Sequence, residues 1–445
     1  MQRSLWLRRF AVLMVFGLLA AACGGDDEPD TTDTETGTPT ETEMTETETE
    51  TESPTETETG EAIDRPERDE KLDLGYVLPE TGALAFLVSP QVEGVRLAVE
   101  DINAAGGVLG QDVNLETGDS GTDPAVARQT VARLINGGVD AVVGAAASGV
   151  SQEIIQTLHD NEIVQCSASN TSPSFTDQEN NTFYFRTVPP DEAVTPVIVN
   201  QVTAAGSNIA VAARADDYGQ ALQELVVQGV EEAGASVVAN VSYDPEADDF
   251  SSEAGEIASA NPDAVVLISF GEGATLIRQL IQEGVSPDAL YGADGLFGPA
   301  LAEQVNPDDL STIEGMKVIG ASGSEEFNAR LTEQVDTEGN LIYGAQAYDC
   351  AIVTALAAIA AGSADPAVFN DAIADVTKEG TECTSFEECS QLLADGEDID
   401  YNGASGPLDI TRPDPTFGRY AVGEFTAEGT IEIIASEDVD LSQLN

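Results

Sequence analysis

From residue 71 onward the chain alternates short apolar runs with amphipathic helical stretches, and it does so in two successive series. Apolar runs at 74–78, 113–117, 141–144 and 163–166 read as strands. Helices are expected between them at 91–104, 124–136 and 151–160, the first with Val92, Val95, Ala98, Val99 and Ile102 on one face. Strand, helix and strand in series imply a parallel sheet covered on both faces. A further strand at 183–188 runs into Pro189-Pro190, which continues neither kind of element. A second series then begins, with strands at 209–213, 236–243, 264–270 and around Tyr291, and helices at 219–233, 250–260 and 273–283. A run at 316–319 reads as a strand leading back out, and 344–361 as a long apolar helix. The end changes character, with short strands expected at 407–410, 420–425 and 431–434. The body is therefore expected to be α/β, with two similar lobes facing each other across a cleft. In doubly wound sheets ligands sit beyond the carboxyl ends of the strands, so two such edges make a closable pocket.

The first 70 residues are of another kind. Arg3, Arg8 and Arg9 precede an apolar core at 10–22. That core is shorter than the roughly 20 residues a membrane span needs, and it reads as a secretory signal. Ala20, Ala21, Ala22 and Cys23 resemble a bacterial lipobox, with Leu19 one place earlier than the commoner Leu position. The resemblance implies cleavage before Cys23 and lipidation of its thiol, which would anchor the chain stably to a membrane. An ordinary Ala-x-Ala cleavage that leaves Cys23 a bystander is the alternative. Residues 24–70 hold 19 acidic and two basic side chains and almost nothing apolar. Such a tract cannot form a core, and like charges extend it. Fully stretched it spans at most about 150 Å. The expected organisation is a signal at 1–22 and a lipid anchor with an acidic tether at 23–70. Lobe I follows at 71–189 plus 321–405, and lobe II at 190–320 plus 406–445.

The remaining body, residues 71–445, carries 62 acidic and 12 basic side chains, and its only lysines are Lys71, Lys317 and Lys378. Such a surface repels nucleic acid and anionic lipid. Adaptation to high salt is one reading and cation capture the other. Acidic pairs scattered through turns, such as Asp216-Asp217, Asp248-Asp249 and Asp308-Asp309, favour the former, and no metal site is read from them. Cys383 and Cys389, six apart in an exported chain, are expected to form a local disulfide. Cys166 and Cys350 read as buried small hydrophobes; a bridge between them is an open alternative that nothing in the sequence favours.

Binding chemistry concentrates in two loops. After the strand at 141–144 come Ala145, Ala146, Ala147 and Ser148, small residues that let a ligand approach the backbone. Ser148 stands just before a helix start, where free N–H groups and the helix dipole favour an anion. Simple helix capping by Ser148 or Ser151 is the alternative. The next strand runs into Ser167, Ala168, Ser169, Asn170, Thr171, Ser172 and Pro173. The two loops are expected to be neighbours on one sheet edge, offering hydroxyls and amides to a carboxylate.

In these loops the chain resembles the Leu/Ile/Val-binding family of ABC-transporter solute receptors. The likeness covers about 71–430 and is carried by a string of motifs in order. They are Thr81-Gly82, the run from Glu100 to Gly110, Asp123-Pro124, the glycine and valine pattern of 137–144, the two serine loops, Asp217-Tyr218-Gly219, residues 262–265 and Tyr348-Asp349. The resemblance implies a periplasmic-binding-protein type I fold, two mostly parallel doubly wound sheets joined by a hinge crossing three times, near Pro189, Gly320 and Gly406. It implies that Ser148, Ser169 and Thr171 hold a ligand's α-carboxylate or α-amine, that Tyr218 reaches across from the second lobe, and that Asp294 faces the ammonium. A buried ammonium needs such a charge partner. A plain turn Asp and a packing Tyr are the alternatives. Leu84, Phe86 and Leu87 stand where many relatives place a Tyr, the second-lobe aromatic is Phe270, and Ala147 with its two Ala neighbours is smaller than usual. The side-chain pocket is thus expected to be apolar or roomy, lined by Phe86, Phe270 and Ala147.

The implied function is an extracytoplasmic receptor, monomeric and lipid-anchored at the outer face of the cell membrane. It would pass an amino acid or amide-like solute to an ABC permease, with no cofactor and no nucleic-acid partner. A sensor of the same fold signalling to a membrane partner is the second reading. An enzyme is the third and weakest. The one histidine, His159, falls in a helix as a surface residue, so His-dependent triads and His-rich metal sites are all but excluded. No nucleophile elbow, zincin motif or phosphate loop occurs either.

Overall fold

The computed structural model describes residues 66, 68–176, 182–334 and 339–443. The expected signal, Cys23 and nearly all of the tether lie outside them.

The first series builds β1 (Asp73–Val77), α1 (Val88–Ala104), β2 (Asn114–Glu116), α2 (Pro124–Gly137), β3 (Ala141–Gly144), α3 (Ser148–Asp160), β4 (Val164–Ser167) and β5 (Tyr184–Arg186). The strands form one parallel sheet in the order β2-β1-β3-β4-β5. Successive strand side chains point to opposite faces. Val142 accordingly joins the core under α2 and α3, while Ala141 and Val143 join the core under α1. The ends of α2 follow from its residues. Asp123 caps it through Ala125 N and Val126 N with Pro124 in the first turn, and Gly138 closes it in the left-handed conformation. His159 lies in α3, half-exposed, with its ring edge-on to Phe183.

The chain then crosses at 187–190 and forms α4 (Asp191–Ala205), β6 (Asn208–Arg214), α5 (Asp217–Glu232), β7 (Ser236–Tyr243), α6 (Ser251–Ser259), β8 (Ala264–Ile268), α7 (Gly273–Gln282), β9 (Leu290–Gly292), α8 (Ala300–Val305) and β10 (Lys317–Ala321). The sequence pattern assigns no element to α4. The helix contains Pro196 and is buried around much of its circumference, so it lacks the one-sided apolar stripe that marks a surface helix.

A second crossing at 322–324 returns the chain to the first lobe. There it forms α9 (Glu325–Gln334), α10 (Gly344–Ala361), α11 (Pro366–Phe369), β11 (Thr381–Cys383), α12 (Phe386–Ala394), β12 (Ile399–Gly403) and β13 (Gly406–Pro407). Strands β11, β12 and β13 make a small separate sheet. Leu408 and Ile410 still belong to the first lobe's core, and no strand continues past Pro407 until the chain crosses a third time. β14 (Phe417–Phe425) and β15 (Ile431–Asp440) then complete the second sheet, ordered β15-β14-β10-β9-β8-β6-β7. Its strands β6 to β10 are parallel and the last two run antiparallel, longer than the short strands expected at the end of the chain.

Helix α10 is long and apolar enough to cross a membrane, but 83% of it is buried in the first lobe against α1. The two helices touch closely at Gly94, where a Cβ would lie 2.3 Å from Gly344 O. Two disulfides hold this lobe. Cys383–Cys389 links β11 to α12, as the spacing predicts. Cys166 and Cys350 are also bonded to each other, with Cα atoms 5.6 Å apart, which corrects the reading of them as two free hydrophobes. Both are fully buried, so their burial signal was right. The partner of each lies on an element 184 residues away, and no local pattern carries that information.

Candidate ligand-binding site

The carboxyl ends of β3 and β4 face those of β6, β8 and β9 across the cleft. The turn after β3 depends on Gly144, whose φ is +117° and whose Cβ would stand 2.2 Å from Val77 O. From there 145–147 lead into α3. Ala147, not Ser148, occupies the cap position, so Ser148 is the first helical residue, and Ser151 instead bonds Ala145 O at 3.1 Å. The capping alternative therefore fails for Ser148, which sits where helix N–H groups lack intrahelical acceptors.

The neighbouring loop after β4 is braced against the first. Asn170 Nδ2 donates to Ala145 O (3.1 Å) and Ala146 O (2.9 Å), and Ser167 Oγ donates to Ala145 O at 3.2 Å. Ser169 Oγ donates to Ala146 O (3.2 Å) and accepts from Gln91 Nε2 (3.3 Å). Fully buried Arg186 supports the loop from below, through Asn170 O (2.7 Å) and Ser172 O (2.9 Å).

The second lobe contributes Asp294, in the short turn after β9, and it is 8% exposed. Tyr218 Oη, from the first turn of α5, donates to Asp294 Oδ1 at 2.5 Å. Tyr343 Oη donates to Asp294 Oδ2 from the first lobe, at the N-terminus of α10, so Asp294 is held by tyrosines of both lobes. Burial pushes the Asp294 carboxyl above its ordinary range, and the two phenol donors oppose that rise. Burial and the Asp294 charge together push both phenols well above theirs. Phe270 stacks on Tyr218 with ring centroids 5.3 Å apart, and the Arg214 guanidinium stands 3.7 Å from its centroid. That guanidinium is already paired with Asp216 and Glu272, each at 2.7 Å.

Ala147, Ser148, Ser169, Tyr218, Phe270 and Asp294 thus line one cavity, together with Leu84, Leu87 and Tyr343. Its volume is ≈ 10 Å³, room for about one water. Among the described residues on its wall, Asp294 is the one carboxylic side chain. Two of the residues singled out in the sequence stand apart. Phe86 lies in an adjoining crevice, against Gly298 and Leu301, with Phe270 shared between the two spaces. Thr171 lies behind the wall beside Asp191.

The periplasmic binding protein family model matches residues 71–417. The chain belongs to the periplasmic binding protein family. This member is 27% identical over 386 residues to the chemotactic signal transduction system substrate-binding protein BasB of Halobacterium salinarum, covering 82% of this chain and 90% of that one. It is also 27% identical over 228 residues to the Leu/Ile/Val-binding protein BraC3 of Rhizobium johnstonii, 51% of this chain and 62% of that one. Among solved structures, the leucine-binding protein LivK of Thermotoga maritima superposes with a TM-score of 0.69 at 21% identity, covering 83% of this chain and 99% of that one. LivJ of Streptococcus pneumoniae, solved with isoleucine, gives 0.67 at 20% identity, with 83% and 99% covered. The likeness to these two structures is one of fold: two lobes, each built on its own α/β sheet.

Two buried residues of this periplasmic binding protein, one on the cavity wall and one behind it, escaped the sequence reading. Tyr343 precedes α10 with a φ of +62°, in a stretch without periodicity, so nothing local separates it from a loop aromatic. Asp191 resembles any acid in a helix's first turn. Only its complete burial marks it out.

Proposed function

We propose that this chain is an extracytoplasmic solute receptor. It captures an amino acid or a similar small polar metabolite between its two lobes and hands it to an ABC permease. One observation carries the reading: a buried acid at the carboxyl ends of the second sheet is held by a phenol from each lobe, opposite a helix N-terminus of the first. An acid and a helix start on the wall of one cavity suit a zwitterion, with ammonium toward Asp294 and carboxylate toward Ser148 and the first turn of α3. Tyr218 and Phe270 would wall the side-chain end, with Ala147 leaving room beside them and Phe86 covering the outer rim. Thr171 would contribute from the second serine loop and Ser169 would hold that loop's shape. Relatives named as Leu/Ile/Val-binding proteins favour an aliphatic amino acid.

Lobe boundaries near Pro189, at 322–324 and near 415 would act as the hinge, since Leu408 and Ile410 pack with the first lobe. The cavity is smaller than any amino acid, so capture requires the lobes to part. Upstream, Cys23 would carry a lipid anchor and 24–70 the leash between membrane and receptor. The net charge of −64 suits a salt-rich medium, and the chain would work as a monomer. No catalytic role is assigned to any residue.

The relative named for chemotactic signal transduction favours a second reading, a sensor that reports occupancy to a membrane transducer. Copurification with permease subunits against copurification with a transducer separates the two. The ligand reading is tested by a thermal-shift screen of amino acids, amides, ureas and short carboxylates at high salt. A ligand at 100 times its Kd adds about 2.7 kcal/mol of stability. A shift with neutral amides and none with any zwitterion refutes the ammonium role of Asp294.

A further inference from the structure

Arg214, the last residue of β6, is buried but does not line the ligand cavity. The aromatic wall of that cavity nevertheless depends on it. Phe270 borders two spaces, the cavity beside Asp294 and the crevice beneath Phe86, each of ≈ 10 Å³. Among the described residues, Phe270 and Gly295 are common to both walls. Gly295 has no side chain, so the Phe270 ring is the partition between them.

The Arg214 guanidinium stands 3.7 Å from the Phe270 centroid, within reach of a cation–π contact. Two carboxylates hold it there. Nε donates to Asp216 Oδ2 and Nη1 to Glu272 Oε1, each at 2.7 Å. Both acids also fix the wall directly. Asp216 Oδ1 accepts from Gly219 N at 2.9 Å and so caps α5, whose first turn carries Tyr218. Glu272 Oε1 accepts from the N–H of Phe270 itself at 3.2 Å. Tyr218 stacks on Phe270 with 16° between the ring planes, and a Cβ on Gly295 would lie 2.6 Å from Phe270 Cδ1. The ring is therefore boxed in by Tyr218, the guanidinium and the Gly295 backbone. Because the two acids match the charge of Arg214, what it gives the site is shape.

We infer that Arg214 is a positioning residue that limits the length of ligand side chain the receptor accepts. It holds the Phe270 ring as a fixed partition, so a side chain reaching past Tyr218 meets the ring and stops short of the crevice beneath Phe86. A short aliphatic chain ends at the partition. An aromatic or longer chain has to turn the ring and break its contact with the guanidinium. Lysine is no substitute, because a point charge on a flexible stem pairs with the two acids but lays no plane against the ring. This inference rests on the proposed receptor function, in which Tyr218 and Phe270 wall the side-chain end, and it adds a size limit to that site.

The test is isothermal titration of the full-length protein with L-leucine and with L-phenylalanine. Wild type is expected to bind leucine at least about 10-fold more tightly. Arg214→Lys keeps a charge between Asp216 and Glu272 and should narrow that ratio to about 3-fold or less, with leucine binding weakened and phenylalanine binding gained. Asp216→Asn still caps α5 but releases one end of the guanidinium. It should move the ratio the same way, and it decides the matter if a thermal melt shows that Arg214→Lys does not fold. Phe270→Leu removes the partition, and in that background Arg214→Lys should leave the ratio where it is, the non-additivity expected of two groups acting as a unit. Equal losses for both probes, an unchanged ratio, or an Arg214→Lys effect that persists beside Phe270→Leu overturns the positioning role while the receptor function stands. A wild-type preference for phenylalanine overturns it in the same way. If wild type binds neither probe, the aliphatic amino acid reading fails and the inference with it.

Discussion

Removing the Cys166–Cys350 bridge is expected to cost far more stability than removing Cys383–Cys389. In the loop-entropy account a cross-link acts on the unfolded chain, and its effect grows with the loop enclosed. The 184-residue separation corresponds to about 5 kcal/mol and the 6-residue separation to about 2 kcal/mol. The topology sharpens this further. The long loop leaves the first lobe after β5 and returns at α9, so it contains β6 to β10 of the second lobe. While the first lobe is folded, β4 and α10 hold the loop closed with or without the disulfide. The bridge should therefore contribute nothing to melting of the second lobe alone and its full effect to melting of the first. Urea-dependent hydrogen exchange, read by peptide, separates the two events. The Cys166→Ala/Cys350→Ala variant should lose protection at lower urea in β1, β3 and α10 and keep it in β6 and β8. Equal losses for the two disulfide variants, or a loss that falls on β6 and β8, would refute the loop-entropy reasoning.

Three more outcomes follow from the site and its supports. Asp294→Asn should weaken binding of the best amino acid from the screen by about 2–5 kcal/mol in titration calorimetry, since it strips a buried ammonium of its charge partner. Tyr343→Phe should weaken it by about 1 kcal/mol and raise the Asp294 pKa, followed by NMR titration, because it removes one donor that holds the carboxylate ionised. Asp191→Asn should stabilise the unliganded protein near neutral pH and lose that advantage in acid, as read from urea midpoints. Burial and the Asp294 charge raise the Asp191 pKa well above its ordinary value, so the native state binds a proton that the unfolded chain releases above about pH 4. Stability of the parent thus falls as pH rises through the folded pKa, and below about pH 4 both states are protonated and the variants converge.

The two-lobe architecture was legible because it is written in local periods. Val92 to Ile102 repeat on one helical face, runs such as 141–144 are continuous apolar strands, and Pro189-Pro190 ends one series. The serine loops were legible because small residues after a parallel strand have few other uses. What escaped depends on distance along the chain. Cys166 finds Cys350, Tyr343 finds Asp294 and Thr171 meets Asp191 only after folding has brought three crossings together. Helix α4 escaped for a different reason: burial on many sides erases the amphipathic signature that betrays α2 and α5.

Helix α10 has a history as well as a place. Periplasmic binding proteins are exported, and before folding this chain would pass a membrane channel with Gly344–Ala361 presented as an apolar stretch long enough to stay there. Asp349, the sixth of its 18 residues, interrupts it, and an aspartate in a membrane helix is disfavoured, by roughly 2.5–3.5 kcal/mol when at the centre. Once across, the same carboxylate is fully buried and accepts from Tyr401 Oη (2.7 Å), Ala404 N (2.9 Å), Ser405 N (2.8 Å) and Ser405 Oγ (2.5 Å). One side chain thus would disfavour lodging of the segment in lipid during transit, and in the folded protein it pins the small sheet to the lobe. Its replacement by an apolar residue is a change in topogenesis as much as in packing.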